Sequence, residues 1–249
     1  MLHAIRPVQW EQKEWSLHIS SPEREQHMDL KPAPEIVSER LKSQFTPAYL
    51  TLTSIIQGVA LAVLAARVEA TYTQFDATDW LLTIATFLMF VTLWHEYLMQ
   101  ALAFVWVPTL LDSLVPFAFL VCELFAAHFV YNGLRGWLLA FGLGFVVGGA
   151  AQLLTLTQAR LLGEENRDLV GALRPYSRLR AALSAVIIVV SLGGWALYDV
   201  LRLGQEALIV ALLAAVLIIV FLGSSVPYWN RILAYTRGEY QAQRPHPVQ

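Results

Sequence analysis

The sequence predicts an all-α polytopic integral membrane protein, a bundle of six transmembrane helices with both termini in the cytoplasm. Three observations predict it. Of 249 residues, 57% are hydrophobic and only 14% are charged, against about 25% charged in an ordinary soluble domain. The charges also leave long gaps: Ser43 to Ala66, Gly136 to Ala159 and Ala207 to Asn230 each run 24 residues without Lys, Arg, Asp or Glu, and Ala181 to Tyr198 runs 18. A helix needs about 20 mostly apolar residues to cross a hydrocarbon core of about 30 Å. Finally, Lys and Arg fall mainly on one side once six helices are drawn, which is the bias that sets orientation.

Residues 1–46 are polar and lack the apolar stretch and cleavage site of a secretory signal, so they read as a retained cytoplasmic tail. Pro7, Pro22, Pro32 and Pro34 divide it. Val37, Leu41 and Phe45 recur at i, i+4, i+8 with Glu35, Glu39, Arg40 and Lys42 on other faces, a pattern that fits a short interfacial helix or an extension of the first span. The transmembrane domain is expected over 47–226, with spans at 47–70, 79–104, 109–131, 136–160, 180–200 and 206–226, followed by a cytoplasmic tail, 227–249. The second and third spans come from Trp80 to Leu134, which is long enough for two crossings although Glu96, Asp112 and Glu123 interrupt it.

This topology puts 14 of the 17 Lys and Arg on the cytoplasmic side, leaving Arg67, Arg135 and Arg202 outside beside an acidic first loop with Glu69, Asp76 and Asp79. One helix more or fewer would separate the basic fourth-to-fifth loop from the basic C-terminus. Aromatic residues agree with the same borders: Tyr72, Trp80, Tyr131, Trp137 and Tyr198 near outer ends, and Tyr49, Trp106, Tyr228 and Trp229 near inner ends.

The net charge of −2 gives no basic surface for nucleic acid. Cys122 is the single cysteine and lies in an apolar span, where it reads as packing; no zinc or redox spacing exists. His95 and His128 lack a second histidine at helical spacing and are about 17 Å apart along the membrane normal at 1.5 Å per residue, so neither metal nor haem is predicted, nor any other cofactor. No nucleophile turn, zinc-protease helix, phosphate loop, selectivity filter or arginine-rich voltage sensor is present.

The chemistry-bearing residues are the polar groups inside the spans. An ionisable side chain at that depth costs about 2.5–3.5 kcal/mol on insertion scales and needs a partner, water or an interface. His95, Glu96, Gln100, Asp112 and Gln152 fall in one layer, roughly 22–30 Å below the outer ends by the same rise. Thr92, Glu96 and Gln100 form one stripe with His95 on its edge, and Asp112 and Glu123 share a face three turns apart. Read as a path, the second and third helices carry His95, Glu96, Gln100, Asp112 and Glu123 along a hydrophilic route. Read structurally, Gln100 and Asp112 lie in the inner headgroup zone around a turn near Pro108. Ala140, Gly144 and Gly148 give the fourth helix a small face for close packing, with Gln57 and Gln152 as interhelical hydrogen-bonding partners. Arg167, Arg174, Arg178 and Arg180 in the fourth-to-fifth loop are placed to meet anionic lipid headgroups.

The function expected from these residues is ion or proton conduction across the cytoplasmic membrane, by a homo-oligomer or with a partner, since one six-helix chain is short for a transporter. The competing expectation is a non-catalytic scaffold or signalling subunit that binds lipid or a cytoplasmic protein. A third is an intramembrane enzyme acting on a lipid-like substrate through His95, Glu96 and Asp112, which requires a cleft beside those residues.

Overall fold

The computed structural model describes residues 34–104, 109–131, 133–161 and 164–236. These form six α-helices, α1 (Pro34–Thr71), α2 (Ala77–Ala103), α3 (Leu110–His128), α4 (Leu134–Leu161), α5 (Glu164–Ala196) and α6 (Ala207–Thr236). All six are long and apolar enough to cross a membrane. The expectations for residues 1–33, for the side chains of Val37, Leu41, Phe45 and Arg167, for the Pro108 turn and for residues 237–249 lie outside what the structure describes.

Three boundaries differ most from the sequence reading. The helix preceding the first span is continuous with it, since α1 runs unbroken from Pro34, with Pro47 inside it; Pro34, in the first turn, costs no hydrogen bond because that N–H would be unpaired anyway, whereas Pro47 removes one interior hydrogen bond. Residues 164–179, read as a loop for their charges, are helical, so α5 begins 16 residues before the expected start and continues through Pro175. At 33 residues and 1.5 Å per residue, α5 is about 50 Å long, well beyond a hydrocarbon core. α6 likewise passes Pro227 and ends at Thr236 instead of 226.

Caps fix two of the turns. Asp76 accepts from the Asp79 N–H at 2.9 Å while Asp79 accepts from the Asp76 N–H at 3.2 Å, opening α2. Thr109 and Asp112 make the equivalent reciprocal box at the start of α3, satisfying N–H groups that a helix leaves unpaired.

We call the end where α1 begins and α6 finishes basal and the opposite end apical. Around the bundle the helices neighbour one another in the order α1, α3, α4, α5, α6, α2, with α2 closing onto α1, while α2 and α3, consecutive in sequence, touch only slightly. The apical half of the interior is filled by aromatic rings. Trp137 stacks on Phe141 at 4.5 Å between centroids, Phe141 meets Phe145 at 5.2 Å, and Phe145 meets Phe221 edge-on at 5.2 Å. Trp137 is fully buried, its indole N–H donating to Thr86 Oγ1 at 2.8 Å, which satisfies the one polar atom this plug brings inside.

Candidate functional site: a buried ion pair and a separate buried acid

Below the aromatic plug the interior changes character. On α5, Ser177, Arg180, Ser184, Ile187 and Ser191 recur every three or four residues and all are buried, so α5 turns a largely polar stripe toward its neighbours. Arg180 is 2% exposed. Its guanidinium forms an ion pair with Glu96 of α2 and donates to Ser225 Oγ of α6 at 2.7 Å, and Ser225 in turn donates to Glu96 Oε1 at 3.2 Å. The rings of Phe221 and Tyr228, on the same face of α6 as Ser225, lie 4.8 and 5.4 Å from the guanidinium carbon, within cation–π range. One arginine thus ties α5 to α2 and α6 with its charge matched, the condition under which a buried charge is tolerated.

The pair borders a cavity of about 40 Å³ lined also by Thr92, Tyr97, Gln100, Gln152 and Ser184, with Met89, Gly144 and Phe145 at its apical limit. A water needs roughly 10–15 Å³ of such space, so there is room for a few. A smaller space of about 10 Å³ continues basally from the same four residues, Glu96, Gln100, Gln152 and Arg180, to Phe104, Thr155 and Tyr228. Gln100 Oε1 accepts from Thr155 Oγ1 at 3.1 Å.

Of the residues singled out in the sequence, Glu96, Gln100, Gly144, Gly148, Gln152 and Arg180 therefore share one site, while His95, Asp112 and Glu123 do not join it. Asp112 is a helix cap: its Oδ2 accepts from the Thr109 N–H at 2.7 Å, the Thr109 hydroxyl at 2.8 Å and Gln158 Nε2 at 3.0 Å. That carboxylate is committed locally and does not line the cavity. His95 packs against Trp229, with ring centroids 6.3 Å apart, and does not line the cavity. His128 is exposed at the end of α3, against Phe129. The constellation of His95, Glu96 and Asp112 is not assembled, because Glu96 faces α5 and α6 while Asp112 caps α3.

Arg180 is the main correction among the basic residues. Expected at the headgroup level, it is instead buried inside the bundle and paired with Glu96. Arg174 and Arg178 are exposed, one turn apart on the basal part of α5. Sequence reasoning missed Arg180 by treating every charge before the apolar run as loop; the spacing of Ser177, Arg180, Ser184 and Ser191 was the available signal.

Glu123 occupies a second site. It is fully buried, and its Oε1 accepts from Gln57 Nε2 of α1 at 2.6 Å. Its other oxygen is buried without a hydrogen-bond partner, as is the hydroxyl of Tyr97. Gln57, expected to bond between helices, does so here to Glu123 of α3, a partner the sequence could not name because α1 and α3 are not sequential neighbours. The small face of α4 lies close to α3 and α2: a Cβ added at Gly148 would sit 3.5 Å from the Phe119 ring, and one at Gly144 would sit 3.7 Å from Cys122 Cβ and from Met89 Sδ. Among the described residues no group of three or more His, Cys, Asp or Glu is arranged to hold a metal.

No protein-family model, curated protein or solved structure matches the chain.

Proposed function

We propose that the chain is a multi-pass protein of the cytoplasmic membrane, basal end inward, that conducts protons or small ions along a route entered from the basal end. Glu96 of α2 and Glu123 of α3 are its acidic stations. The orientation is supported by the positive-inside bias, since the basal ends of the helices carry Arg160, Arg174, Arg178 and Arg231, while Arg67, Arg135 and Arg202 lie at apical ends.

The observation that carries conduction is the matched Glu96–Arg180 pair set beside a hollow inside otherwise apolar spans. Buried ion pairs are weak contributors to stability, and apolar replacements of similar volume are often neutral or better. A bundle that needed only cohesion would gain little from placing two charges, three hydroxyls and two glutamines around space for water. A route for a charged species needs all of these.

The scaffold reading draws on a different observation, the completeness of the set around Arg180: carboxylate, hydroxyl and two rings leave it well held, as a lock between α2, α5 and α6 would be. Flux separates the two. Purified protein in liposomes should pass protons or monovalent cations above the background of empty vesicles, and Glu96→Gln should remove most of that flux with the fold intact. Wild-type flux equal to empty vesicles would favour the lock.

A further inference from the structure

The cavity stops at the aromatic plug, yet one polar side chain of its wall leads sideways. Tyr97 lines the cavity, and its ring packs edge-on against Tyr49 of α1 at 5.7 Å and Phe119 of α3 at 5.5 Å between centroids. Phe119 precedes Glu123 by one turn on α3, so Tyr97 stands between the cavity and the face that carries Glu123. Helical side chains lean toward the N-terminus of their own helix. α2 runs from apical to basal and α3 runs the other way, so Tyr97 leans apically and Glu123 leans basally, each toward the other. The contact with Phe119 thus brings Tyr97 to the turn just basal of Glu123, and both the Tyr97 hydroxyl and Glu123 Oε2 are buried without a hydrogen-bond partner.

Glu123 is also level with the cavity's ceiling. Its neighbour Cys122 faces Gly144, and Gly144 faces Met89, two of the residues that close the cavity apically.

We propose that Tyr97 is a proton relay through which the Glu96–Arg180 cavity loads Glu123, so that the species carried on the proposed route is a proton, not a metal cation. A single water hydrogen-bonded to Tyr97 Oη and Glu123 Oε2 would satisfy both orphaned atoms, as buried waters commonly do. The transfer balances in one concerted shift. The Tyr97 hydroxyl gives its proton to the bridging water, and that water gives one of its own to Glu123 Oε2. Tyr97 regains a proton from a cavity water, which the basal solution replenishes. One proton leaves the basal water and one neutral carboxyl forms, with no other reactant. A metal cation is disfavoured by ligand number: hard cations take about six oxygens, and here the neighbouring backbone carbonyls are engaged in the helices. The titratable neighbours of Glu123 are Tyr97 from α2 and Cys122, beside it on α3; from α1 it meets the neutral amide of Gln57, and among the described residues no basic side chain pairs with it.

This inference rests on the conduction reading but is tested apart from it. In reconstituted protein, the carboxylic C=O stretch of Glu123 is identified in infrared difference spectra after a pH jump as the band missing in Glu123→Gln. Tyr97→Phe keeps the ring packing and removes only the hydroxyl. The expected result is a band of unchanged final size whose rate of appearance falls on the order of a hundredfold, the scale of a positioned proton-transfer group. A wild-type rate in Tyr97→Phe, or no Glu123 band at any pH, overturns the relay. If the Tyr97-dependent band is present while liposomes show no flux, Glu123 is loaded as proposed and the conduction reading alone fails.

Discussion

The two halves of the bundle interior solve the same packing problem with opposite chemistry. Apically, Trp137, Phe141, Phe145 and Phe221 fill the space with rings, and the buried indole N–H finds Thr86. Basally, Arg180, Glu96, Gln100 and Gln152 surround a hollow, with Ser225 bonded to the pair. In the apical half, stability comes from contact area and dispersion. In the basal half, it depends on every charge and hydroxyl keeping its partner. The difference teaches where a ligand, water or proton can reside, and it makes the two halves fail differently.

The largest effect should follow Arg180→Ala, which leaves the Glu96 carboxylate without its counter-charge. The cost expected for breaking a buried pair is about 3–5 kcal/mol, read as a lowered unfolding midpoint in detergent micelles. Glu96 retains some exposure, 20% of its side chain, so the lower figure applies. A loss under about 1 kcal/mol would mean that water already screens the pair and that the basal hollow is wetter than the comparison implies.

Phe141→Ala should rank next, at about 3 kcal/mol for emptying a ring-sized volume in a fully buried position. It also bears on function, because a breach in the plug joins the basal hollow to the apical side: flux should rise above wild type, whereas unchanged flux would show that the rings are not the barrier. The smallest effect belongs to the second acid. Gln57→Leu removes the one donor to Glu123 and should cost about 1–2 kcal/mol, the range for an interhelical hydrogen bond in a membrane bundle. A much larger loss would show that α1 is held chiefly through Gln57 and would make the Glu123 site structural.

The sequence made the six helices legible because charge-free runs of the right length are hard to produce otherwise. It also placed Glu96, Gln100 and Gln152 in one layer, since depth follows from 1.5 Å per residue and needs no knowledge of neighbours. What it could not supply was lateral order. The polar residues on α2 and α3 suggested that the two helices share a path, but α2 packs mainly on α6 and α1, and α3 on α4 and α1. Glu96 and Glu123 consequently face different neighbours, and Gln57 meets a residue 66 positions away. Arg180 was misplaced for a related reason: whether a charge at the margin of an apolar run turns outward to headgroups or inward to a carboxylate is decided by the facing helices, here through Glu96 and Ser225. Asp112 shows the converse, a local rule overlooked, because Thr109 and Asp112 stand at the capping-box spacing just ahead of an apolar run.

The central claim is that the Glu96–Arg180 pair serves a route and not merely the fold. The most direct test is proton flux through liposomes carrying Glu96→Met/Arg180→Met, in which both charges go together and comparable volume remains, so stability should be kept or improved. The account predicts a folded bundle whose flux falls to that of empty vesicles. A folded double variant that conducts like the wild type would contradict it.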